Sequence, residues 1–178
     1  MKSLKKTRDK KEPLSGKPLV EKAQLTHGLI AHNAAFADTF FYEIFHHFSQ
    51  CPREISRAIY FTLDSISGRK SLVKRVAKAT QKDAETQALL LKLSTAVDKV
   101  IKHRNGVAHS FLILHRDLFG LESHIKMINP KQPAPGSSCV TEQSLEEAED
   151  TSNSHLQIVG QAFEKLCEKL GIRPEVTI

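Results

Sequence analysis

Three side chains near the middle of the chain have the types and spacing for chemistry: Arg104, Asn105 and His109, in the stretch Arg104-Asn105-Gly106-Val107-Ala108-His109. An imidazole titrates near neutrality and can move a proton in either direction. A guanidinium can pair with two phosphate oxygens and offset charge that develops on them. An amide can orient the imidazole or hold a phosphate oxygen.

The element that must carry them is a helix. Leu90, Leu93, Val97 and Val100 step by three and four, which marks one helical face. Arg104 is the next step on that stripe. A charge that continues an apolar face is costly unless a partner meets it or the face opens to a cleft. The bland alternative is specific: Arg104 pairs with Asp38, Glu43 or Asp98, and His109 caps the helix C-terminus, where a cation is favoured. Asn105 and His109, four apart, share a neighbouring face. Arg104 and His109 stand about 140° apart on an ideal helix. They could still flank one groove, particularly if Gly106 bends the turn.

The rest of the chain reads as mainly α-helical. Residues 1–17 hold seven Lys or Arg and two acidic residues, with no periodicity, and are expected to be a disordered basic tail. Such an arm could also contact a polyanion. One domain is expected from residue 18 to 178. Pro18 can open the first helix, which runs to Phe48 behind a wide apolar stripe ending in Phe36, Phe40, Phe41, Phe45 and Phe48. That width suggests a face shared with a second copy of the chain. Pro52 opens a second helix, whose apolar spacing runs through Ile55, Ile59, Leu63 and Ile66. A break is expected over residues 64–68. The next helix shows Arg69, Lys70, Lys74, Arg75 and Lys78, either a solvated face or a phosphate-contacting patch. Thr80 with Asp83 reads as the capping box of the helix that carries the motif. Alternation from Phe119 to Met127 predicts a strand, with Phe111 to Leu114 as its hairpin partner. Residues 129–140 are a loop by composition. Ser144 with Glu147 can cap a last helix, which Gly171 and Pro174 end.

Several classes are disfavoured. The three cysteines, Cys51, Cys139 and Cys167, lack CxxC spacing, which points to a reducing, cytoplasmic compartment. No histidine or cysteine set has recognised metal-ligand spacing, and no cofactor motif is present. His115-Arg116-Asp117 copies three letters of a kinase loop without its companions. No apolar run is long enough for a membrane span, so no membrane partner is expected.

The stretch from Arg104 to His109, following an apolar-striped helix and preceding a strand-like insert and a closing helix, resembles the signature of the HEPN superfamily. The resemblance implies an up-and-down helical bundle with a small β-hairpin before the last helix. It implies a homodimer with two motifs facing each other across a cleft. It further implies metal-independent cleavage of RNA to 2′,3′-cyclic phosphate and 5′-hydroxyl ends, with His109 moving protons, Arg104 offsetting charge and Asn105 orienting. Members include toxins with cognate antitoxins, phage-defence effectors and RNA-processing enzymes. Others keep the fold as non-catalytic RNA- or protein-binding modules.

Overall fold

The computed structural model describes residues 16–80, 83–108, 111–116, 123–128 and 140–173. The described residues form a helical bundle, with α1 (Gly16–Ser49), α2 (Arg53–Phe61), α3 (Ile66–Thr80), α4 (Ala84–Ala108) and α5 (Glu142–Leu170). Between α4 and α5, strands β1 (Phe111–Arg116) and β2 (Ser123–Ile128) pair antiparallel, Phe111 opposite Ile128 and Arg116 opposite Ser123. The expected tail falls on residues 1–17, of which 1–15 lie outside the described residues. The last two, Gly16 and Lys17, already belong to α1. Pro18 therefore stands inside the first turn, where its missing N–H still costs no helical bond.

The helices meet around one core. Phe40, Phe41, Ile44, Leu93, Val97 and Phe163 are fully or almost fully buried, and the rings of Phe40 and Phe163 stand 4.5 Å apart. The phenylalanines that suggested a face shared with a second copy are consumed here: Phe45 and Phe48 are 2% exposed within the single chain. The stripe is wide because α1 packs against each of α2, α3, α4 and α5. A second cluster, Leu19, Ala23, Val140 and Leu145, pins the start of α1 to the approach to α5.

Polar pairs fix the directions. Lys22 reaches Glu142 and Glu146, Thr26 reaches Glu149, and Asn33 donates to Ser152 and Asn153 at 3.0 Å each. The numbers climb together, so α1 and α5 run parallel. His103 bonds Ala148 while Lys169 bonds Glu85, so α4 runs against α5. Lys70 pairs with Asp98 and Gln87 donates to the Ala77 carbonyl, so α3 also runs against α4.

Two local expectations are corrected. α2 is rotated from its expected setting: Ile55 and Ile59 are 50% and 43% exposed, while Ser56 and Tyr60 are fully buried. The polar anchors outweigh the aliphatic stripe. The Tyr60 hydroxyl donates to Asp38 Oδ1 at 2.8 Å, and Ser56 shares its hydroxyl with His46 and Ser49. The caps also shift. Asp83, not Thr80, caps α4, accepting from the Thr86 N–H at 2.9 Å and its hydroxyl at 2.7 Å. Thr80 bonds back to Val76 within α3. Thr141 and Ser144 form the capping box of α5, three residues before the expected pair. Gly171 ends α5 in the left-handed region at φ 65°, as a C-terminal glycine should.

Candidate nucleic-acid site at the end of α4

α4 continues through Gly106 to Ala108, so Arg104 and Asn105 sit in its last regular turns. Val100 is buried one turn earlier and Val107 almost so. Arg104 lies between them, half-buried, where the apolar stripe leaves the core. Asn105 is also half-buried. His109 lies outside the described residues, so the motif's geometry is seen for Arg104 and Asn105 alone.

Each of the three carboxylates that could have neutralised Arg104 is bound by another cation. Asp38, 6% exposed, is held by Arg69 and by Tyr60. Glu43, 7% exposed, is held by both terminal nitrogens of Arg53. Asp98 is held by Lys70. Among the described residues Arg104 has no ion-pair partner. A charged group on a core-facing stripe, with Asp38, Glu43 and Asp98 each engaged elsewhere, fits the cleft alternative.

The basic run on α3 divides. Arg69 is structural: its Nε donates to the Leu63 carbonyl at 2.8 Å, and its guanidinium lies 4.9 Å from the Phe61 ring and 5.6 Å from the Tyr60 ring. Burial and the Asp38 charge push the Tyr60 phenol far above its usual range. Lys70 is spent on Asp98. Lys74, Arg75 and Lys78 remain exposed, with Arg75 bonded back to Ser71 of its own helix. The five residues are placed differently: two pair with acids on neighbouring helices and three face solvent.

Beside the motif is a groove that the sequence did not reveal. Lys99, Lys102, His103, Gly106 and Val107 of α4 and His155 of α5 line about 400 Å³. The Nε2–H of His103 donates to the Ala148 carbonyl at 3.0 Å, which leaves Nδ1 as its acceptor when neutral. His155 meets it edge to face, centroids 5.9 Å apart. Burial, then the nearby His103 and Lys99, lowers the pKa of His155 below the ordinary imidazole value. Only the pairing of α4 with α5 brings these residues together. The signal available in sequence was the four-residue spacing of Lys99 to His103 and Lys102 to Gly106, with nothing to indicate His155.

No family model, curated protein or solved structure matches the chain. Among the described residues no three His, Cys, Asp or Glu side chains group as a metal site would need, and no helix is long and apolar enough to cross a membrane.

Proposed function

We propose that the chain is a HEPN-type endoribonuclease acting without a metal. The observation that carries this reading is Arg104, without an ion-pair partner among the described residues and set at the end of an apolar stripe while Asp38, Glu43 and Asp98 are each taken by another cation. The ribose 2′-oxygen attacks the adjacent phosphorus, the bond to the 5′-oxygen breaks, and that oxygen leaves with a proton. A 2′,3′-cyclic phosphate and a 5′-hydroxyl result. His109 moves the proton, Arg104 offsets charge on the non-bridging oxygens and Asn105 orients the imidazole. A second copy bringing its own motif across the cleft belongs to the same reading, as does action in a toxin–antitoxin or phage-defence setting. The exposed Lys74, Arg75 and Lys78 are the α3 cations available to RNA phosphates.

The test is cleavage of end-labelled single-stranded RNA in EDTA, with end-group analysis. Arg104→Lys keeps charge but loses the planar fork. It and His109→Ala should each cut the rate at least about a hundredfold with circular dichroism unchanged. Induced expression of the wild type should slow growth and that of His109→Ala should not. Full activity in His109→Ala, or activity lost to chelation and restored by a divalent metal, refutes the mechanism. Tight RNA binding without cleavage would instead identify a non-catalytic module.

A further inference from the structure

The groove between the end of α4 and the middle of α5 has no part in the cleavage chemistry above, yet it has the features of a ligand site. Its volume, about 400 Å³, falls in the range of small-molecule pockets, roughly 300–1,000 Å³. Its walls are two imidazole rings and Val107. Its His103 ring is held in place by the Ala148 carbonyl. Its His155 Nδ1 is buried and has no hydrogen-bond partner among the described residues. Gly106 lines it, and a Cβ there would meet nothing within 4 Å. At its edge Lys99 and Lys102 are exposed and carry no acidic partner among the described residues.

Ring and valine walls and two ammonium groups without an acidic partner among the described residues match the parts of a nucleotide. A base offers a π-face to stack on an imidazole, and a phosphate answers the lysines. An acidic peptide would use the lysines and leave the rings unmatched.

We propose that this groove binds one nucleotide of the RNA strand beside the Arg104 site, its base against His155 and Val107 and its phosphate on Lys99 and Lys102. The proposal rests on the ribonuclease reading for its substrate and on the groove alone for its geometry. His103 and Gly106 are interleaved with the motif, so a base seated here fixes which phosphate reaches Arg104. The groove thereby sets a sequence preference at the nucleotide next to the cut. The lowered pKa of His155 is consistent with a neutral ring that stacks rather than a cation.

The full chain with 15N-labelled histidine, carrying Arg104→Ala so that nothing is cleaved, is titrated with AMP, GMP, CMP and UMP, with inorganic phosphate and with a hexaglutamate peptide. The ring signal missing in His155→Gln identifies His155. At least one mononucleotide should shift that signal saturably, and phosphate and peptide should not. Gly106→Leu, which fills the groove from open space, and the Lys99→Ala/Lys102→Ala pair should each weaken binding at least about fivefold, the lower range for one stacked base. Circular dichroism should match the parent chain in both. No saturable shift, equal shifts from phosphate or peptide, or unchanged affinity in a folded Gly106→Leu chain overturns the proposal. Because the chain used cannot cleave, these outcomes are independent of the cleavage test, and each reading can fail alone.

Discussion

Arg69 and Arg104 are both half-buried arginines on helices that face the core, but they should respond oppositely to truncation. Removing the Arg69 side chain leaves Asp38, whose side chain is 8% exposed, as a charge with only the Tyr60 hydroxyl to meet it. Breaking a buried pair in this way costs about 3–5 kcal/mol. The surviving Tyr60 bond argues for the lower end, while loss of the stack on Phe61 and Tyr60 adds about 0.5–1 kcal/mol. A loss of about 3–4 kcal/mol is expected for Arg69→Ala. Arg104 strands no acid, since its candidates belong to Arg69, Arg53 and Lys70. Arg104→Ala should therefore fall within about 0.5 kcal/mol of the wild type, as substitutions away from a paired network do. Urea unfolding followed at the helical circular-dichroism band measures both. With a slope of about 2 kcal/mol per molar, the Arg69→Ala midpoint should drop by roughly 1.5–2 M and the Arg104→Ala midpoint by no more than about 0.3 M. Equal losses in the two variants would mean that Arg104 has a structural partner, and the argument for a cleft would fail with it.

Two further outcomes follow from the same contacts. Asp83→Ala should lower the urea midpoint through loss of the α4 cap. Thr80→Ala, outside the cap, should change little in the same urea assay. His155 contributes a pH dependence: burial and the neighbouring His103 and Lys99 lower its folded pKa below the ordinary 6.5. The unfolded chain therefore binds its proton first, and stability falls as pH drops through about 6.5 until the folded value is passed. The thermal midpoint of the wild type between pH 7.5 and 5.5 should fall more steeply than that of His155→Gln. His47, lowered by its own burial and by His46, acts in the same direction in both chains. Identical slopes would remove His155 from the account.

The helical content and the placement of α1, α4 and α5 were legible because long 3.6-residue periods survive local exceptions. Arg104 was legible as an anomaly, since it stands where the stripe of Leu90, Leu93, Val97 and Val100 calls for an apolar residue. What it meets could not be read, because Asp38, Glu43 and Asp98 differ only in their partners, and partners are a tertiary fact. α2 misled for the same reason. Its Ile55 and Ile59 have the period of a buried face, but Tyr60 and Ser56 have hydrogen bonds to satisfy on α1, and those decide the rotation. Lys70 and Arg69 read as surface charge for want of any sign that their acids lay 28 and 31 positions away. The groove was invisible because His155 reaches it only through the packing of two helices far apart in sequence.

The parallel seating of α1 and α5 has a consequence for synthesis. Ribosomes add about 5–20 residues per second, so α4 leaves the peptidyl-transferase centre roughly 3 to 12 s before Leu170 is joined. Until residues 142–155 have been added, the side of α4 that carries His103 has no α5 to lie against. The bonds from Lys22, Thr26 and Asn33 cannot close before then either, because their acceptors on α5 do not yet exist. A nascent chain therefore carries the end of α4 without its His155 wall until α5 has been made.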